Sequence, residues 1–167
     1  VCRKNAVPVG LSSGLADIRD LAVSGNFPQP TTIGSIATHA TKEAYAAYVL
    51  SLAELGNKKF RIITDTAHAM GVLELPILQG LRGVSLVRSL YGTLESPGTC
   101  PHEANPLKKE TLEELGASVR ELKGDLGVAY DGDADRVGFV DERGVPVPMD
   151  FVTALLAEIL LTKNPGA

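Results

Sequence analysis

A chain of 167 residues with 44% hydrophobic composition has material for one core and little left for a second full domain. Sixteen basic residues against twenty acidic ones give a formal charge of -4, and no basic run exceeds Lys58-Lys59 or Lys108-Lys109, so nucleic acid is not an expected partner. Cys2 and Cys100 lack zinc-type spacing, no signal peptide opens the chain, and the most apolar segment, Phe151 to Leu161, is too short to cross a membrane; a cytoplasmic protein is expected, without membrane contact.

In chain order, residues 1–37 read as a connector, with Pro8, Gly10 and Gly14, a short amphipathic turn from Leu15 to Val23, then Gly25, Pro28 and Pro30. Its few apolar residues cannot stabilise a lone helix, so the segment is expected to be the tail of a preceding domain. Residues 38–167 are more regular. Ala44, Tyr45, Tyr48, Leu52 and Leu55 recur at helical steps, with Thr41 as a candidate cap and Gly56 as a stop. Phe60 to Thr64 predicts a strand ending at Asp65, followed by a loop and an apolar helical stretch from Val72 to Leu81 that Pro76 should restart or kink. Val84 to Leu90 predicts a second strand. After the irregular stretch Tyr91 to Pro106, Leu112, Leu115, Val119 and Leu122 predict a helix, with Thr111 and Glu114 as a capping box.

Asp125 to Tyr130 predicts a third strand and Val137 to Val140 a fourth, with a turn at Glu142-Arg143-Gly144. Met149 to Lys163 closes the chain as a helix opened by Pro148, so apolar all round that it should be deeply buried or lie against another domain. Strands separated by helices imply parallel crossovers, whereas the short loop between the third and fourth strands permits only an antiparallel hairpin. The expectation is an α/β fold, a three-layer α/β/α domain with a mixed sheet of about four strands, mostly parallel with one antiparallel hairpin strand.

The apex of that hairpin is Asp131-Gly-Asp133-Ala-Asp135-Arg136. In extended backbone, side chains two apart share a side, so three carboxylates would converge and repel. A hard divalent cation opposes that repulsion, and small Gly132 and Ala134 let the loop curl around it. Arg136 adds a charge suited to phosphoryl oxygens. Three other readings compete. The aspartates could be solvated turn residues. They could form a calcium loop, since Asp131, Asp133, Asp135 and Glu142 match positions of an EF-hand, although Arg136 replaces its required glycine and strands replace its helices. They could also belong to a phosphotransferase of the haloacid dehalogenase type with Asp131 as nucleophile. A non-enzymatic divalent-cation-binding module is a further alternative.

The run from Gly127 to Val140 resembles the metal-binding loop of the α-D-phosphohexomutases, the phosphomannomutase and phosphoglucomutase family. Arg61 to Gly71 is similar to the strand and turn that open the family's second domain. Gly98-Thr-Cys100-Pro101 with Asn105-Pro106-Leu107 resembles its proline-rich connection, while His68 and Ala69 stand where asparagine and glycine are frequent. The resemblance implies the second of four domains, with residues 38–167 as a metal-binding domain II and residues 1–37 leaving the first. It implies interconversion of hexose 1-phosphate and 6-phosphate through a phosphoserine enzyme and a bisphosphate intermediate. Asp131, Asp133 and Asp135 match the Mg2+ ligands and Arg136 the residue beside the phosphate. The serine and the phosphosugar contacts belong to the remaining domains of a parent chain, so these residues alone should be inactive. His68 is expected to make a backbone hydrogen bond, Tyr130 to pack in the core, and His39 and His102 to lie on the surface.

Overall fold

The computed structural model describes residues 1–53, 55–96 and 98–166. The chain divides into two compact units, Val1–Ala40 and Thr41–Ala167. In the first, an isolated bridge joins Cys2 to Pro8 and α1 (Leu15–Ser24) ends where Gly25 turns left-handed at φ 64°, its N–H bonding the Leu21 carbonyl. No residue of α1 is buried.

The second unit holds α2 (Lys42–Ser51), β1 (Phe60–Asp65), α3 (Leu75–Gly80), β2 (Val84–Leu90), α4 (Glu113–Leu122), β3 (Leu126–Tyr130), β4 (Val137–Val140), β5 (Pro146–Val147) and α5 (Met149–Lys163). Their sheet runs β2-β1-β3-β4-β5. β1 is parallel to β2 and β3, whereas β4 is antiparallel to β3 and β5. Pro76 opens α3, as its missing amide requires, after a 3-10 segment over Met70–Glu74.

Apolar residues at alternating positions build both faces of the sheet. Ile63, Ala129 and Val140 meet Leu112, Leu115 and Val119 from α4 and the turn before it. Leu115 and Val119 are fully buried, each contributing about 2 kcal/mol by area removed from water. Gly127 permits this contact, because a Cβ there would stand 3.0 Å from both Leu115 and Val119. On the opposite face, Tyr45 of α2 and Leu78 of α3 border a groove over Ile62, Val128 and Phe139. The α/β/α layering follows.

Three details differ from the sequence reading. β5 adds a fifth strand and a second antiparallel pairing, Phe139 with Val147 and Val140 with Pro146. A two-residue strand containing proline carries almost no sequence signal, and an edge is where such a proline fits. The Thr111-Glu114 capping box does not form. The Thr111 hydroxyl donates to the Asn105 and Lys108 carbonyls, and Glu114 instead accepts the Tyr91 hydroxyl at 2.6 Å. Of the two expectations for α5, deep burial does not hold: none of its residues is buried, and Phe151 and Leu160 are 70% and 58% exposed. Among the described residues no helix is long and apolar enough to cross a membrane.

Candidate metal centre

β3 delivers the chain into the aspartate loop and β4 carries it away, with Tyr130 paired to Val137 across the base. Between them the backbone turns tightly. The Ala134 N–H donates to the Asp131 carbonyl at 3.2 Å, and Ala134 itself is left-handed at φ 61°. Curling of this turn, in place of strand alternation, brings one ligand oxygen from each of Asp131, Asp133 and Asp135 within 4.8 Å of the others. Asp131 is fully buried, whereas Asp133 and Asp135 are exposed. The trio is thus anchored at one corner and open at two.

Arg136 folds back on the anchor. Its backbone N–H donates to Asp131 Oδ1 at 3.0 Å and its Nε to Oδ2 at 2.7 Å, with Asp135 Oδ1 at 3.5 Å. Burial works to raise the Asp131 carboxyl, yet the Arg136 hydrogen bonds outweigh it and hold the group below the ordinary carboxylate range. Asp135 shifts the other way, raised first by repulsion from Asp133. One arginine therefore does not neutralise the cluster. A second cation would, and three carboxylates suit a hard divalent ion such as Mg2+ or Mn2+. As the engaged oxygens of Asp131 belong to a buried side chain, a nucleophilic role like that of the haloacid dehalogenases fits it poorly.

The loop is also braced from the side. Met70 donates its N–H to the Gly132 carbonyl at 3.2 Å, from a turn in which Ala67 and His68 are both left-handed, at φ 50° and 56°. Asparagine or glycine would enter that conformation more readily. His68 makes the expected backbone contact, its Nδ1 lying 2.9 Å from the Thr93 carbonyl. Tyr130 is partly buried and packs against Gly71, and burial pushes its phenol up to about 12. His39 is exposed.

His102 departs from the surface expectation. It is 21% exposed and lies 3.0 Å from the carboxylate of Asp65, which is 2% exposed. A contact across 37 residues leaves no local mark in the sequence. The same neighbourhood encloses a cavity of about 420 Å3, lined by His68, Met70, Cys100 and His102 and reaching Gly132 of the aspartate loop.

The model of the phosphoglucomutase/phosphomannomutase family's alpha/beta/alpha domain II matches residues 42–144. A phosphomannomutase from Salmonella montevideo is 30% identical over 171 residues, an alignment that takes in 99% of this chain and 38% of the relative. A probable phosphoglucosamine mutase from Thermococcus gammatolerans is 31% identical over 95% of this chain and 36% of its own length. The crystal structure of a phosphoglucomutase/phosphomannomutase family protein from Burkholderia thailandensis matches with a TM-score of 0.77 at 26% identity, over 91% of this chain and 32% of that one. The chain thus spans well under half the length of these relatives. Its matched residues take in the whole sheet as far as β4 together with the aspartate loop, and the chain belongs to the phosphoglucomutase/phosphomannomutase family, with residues 42–144 matching its α/β/α domain II.

Proposed function

We propose that residues 38–167 are the metal-binding domain of a phosphosugar mutase that interconverts hexose 1-phosphate and 6-phosphate through a phosphoserine enzyme and a bisphosphate intermediate. The observation that carries this reading is the convergence of the Asp131, Asp133 and Asp135 oxygens beside Arg136. Those three carboxylates would hold Mg2+. When bound, the ion supplies positive charge against the phosphoryl oxygens. Asp131 anchors the site from the buried side, and Asp133 and Asp135 close it from the solvent side. Arg136 bonds Asp131 through its backbone N–H and Nε, and its guanidinium charge beside the trio would suit a phosphate.

The loop's own hydrogen bonds favour a chemical role for the cation over a structural one. Arg136, Ala134 and Met70 already hold the backbone. A purely structural ion would be expected where the loop lacked such support. Catalysis further requires the serine and sugar contacts, which we assign to other domains of a parent chain; the exposed apolar residues of α5 are a surface such a domain could cover. Expression of a chain extended to the length of the relatives tests this. It should isomerise a hexose 1-phosphate to the 6-phosphate, the 167-residue chain should not, and Asp133→Ala should lower the extended chain's turnover at least about a hundredfold. Full turnover in the Asp133→Ala variant would refute the assignment.

A further inference from the structure

β1 ends in Asp65, whose buried carboxylate is shared between two segments distant in sequence. Oδ1 accepts the Ala67 N–H at 3.0 Å, and Oδ2 lies 3.0 Å from Nε2 of His102. The other ring nitrogen of His102, Nδ1, lies 2.9 Å from the Glu103 carbonyl oxygen. A carbonyl oxygen can only accept, so Nδ1 carries a hydrogen. The contact between Nε2 and Oδ2 then requires one more proton, on the ring or on the carboxyl. Without it, two lone pairs would face each other at 3.0 Å, one of them on a carboxylate only 2% exposed.

We infer that Asp65 and His102 are a proton-dependent positioning pair that holds the Thr66–Met70 turn and the Cys100–Glu103 stretch together as one wall beside the aspartate loop. The wall reaches the loop through a chain of bonds. Ala67 hangs on Asp65, the Thr66 hydroxyl donates to the Tyr91 carbonyl at 2.7 Å, Ala69 N–H donates to the Thr66 carbonyl at 2.8 Å, and Met70 N–H donates to the Gly132 carbonyl at 3.2 Å. Two consecutive left-handed residues, Ala67 and His68, lie inside this turn. Such a backbone persists only while its surroundings over-determine it, so loss of the clasp should let the turn relax.

The titratable groups around the pair are consistent with a retained proton. Tyr91 presents its ring edge-on to His102 at 5.2 Å and donates its hydroxyl to Glu114 of α4. His68 flanks the other side of Tyr91 at 5.2 Å, with Glu95 at 3.4 Å. The Cys100 thiol is pushed up by burial and by the nearby Asp65 and Glu114 charges. Burial raises the Asp65 carboxyl, His102 opposes it, and Glu114 adds to the rise. The Glu103 carboxylate is taken by Lys108 and Asn105. Burial favours one retained proton on the pair, and its loss as pH rises leaves the Nε2–Oδ2 contact without a hydrogen to share.

The inference stands on the fold and is independent of the phosphosugar reading. It is tested on the 167-residue chain by nitrogen NMR of the His102 ring, together with hydrogen-exchange protection at Ala67, His68 and Met70, from about pH 5 to about pH 9. Protection of those amides should fall by a factor on the order of ten as the ring loses its second proton. Asp65→Asn should keep Oδ1 for Ala67 and offer an N–H to a singly protonated His102, so its protection should persist with no pH dependence in that range. Protection that stays flat through the wild-type titration would overturn the inference, as would an Asp65→Asn profile identical to the wild type. If Asp65→Asn fails to fold, the wild-type ring decides alone: a bare Nε2 coexisting with protected amides refutes the clasp.

Discussion

Asp131 and Asp135 are four residues apart and shifted in opposite directions, and the cause is which partner each one faces. Asp131 faces Arg136 and stays ionised in spite of burial; Asp135 faces Asp133 and is raised. Ala134 sits between them at φ 61°, a conformation that costs an alanine about 1 kcal/mol. Ala134→Gly should therefore stabilise the chain by about 0.5 to 1 kcal/mol in urea unfolding, and a destabilisation would show the left-handed turn to be unstrained. A further carboxylate, Asp141, organises the turn after β4. It accepts the N–H groups of Val145 and Arg143 at 2.8 and 3.0 Å and the Arg143 guanidinium at 2.7 Å. The Val145 bond first, then Arg143, holds its carboxyl below the ordinary value. The sign follows: this contribution is complete above the unfolded value of about 4 and is lost as pH falls through the lower folded value. Asp141→Asn should flatten that acid-side loss in chemical denaturation between about pH 6 and about pH 2, and an unchanged acid limb would refute the role.

Among the helices α4 has the most buried residues, because it meets the sheet on one side and the turn between β4 and β5 on the other. A Cβ at Gly116 would stand 2.6 Å from the Gly144 carbonyl oxygen, which is backbone and cannot swing aside. Gly116→Ala should cost about 1 to 3 kcal/mol in urea unfolding; a loss within experimental error would mean that the turn yields freely. What the sequence disclosed at this scale was whatever is local. The hairpin and its aspartates were legible because Leu126 to Val140 carries strand patterning, turn residues and ligand spacing within a single continuous run. β5 was not, being two residues of which one is proline. Thr111 and Glu114 had the spacing of a cap, but Asn105 and Tyr91 offered them tertiary partners instead. His102 was hidden for the same reason. Its partner Asp65 lies at the end of β1, 37 residues away in sequence.

For the whole molecule, α5 carries apolar side chains that nothing described covers. Leu155 and Leu160 are 57% and 58% exposed. The double substitution Leu155→Glu with Leu160→Glu should leave the stability of the 167-residue chain within about 0.5 kcal/mol, as expected of surface positions, and a loss of several kcal/mol would place α5 in a packed core. The metal assignment asks more of the molecule, since it unites the sheet, the hairpin and the wall beside it in one purpose. Calorimetric titration with Mg2+ addresses it most directly. The wild-type chain should bind one ion weakly, with Kd about millimolar, because three carboxylates make only part of a coordination shell. Asp133→Ala should weaken binding at least about tenfold. Undiminished affinity in that variant would contradict the account.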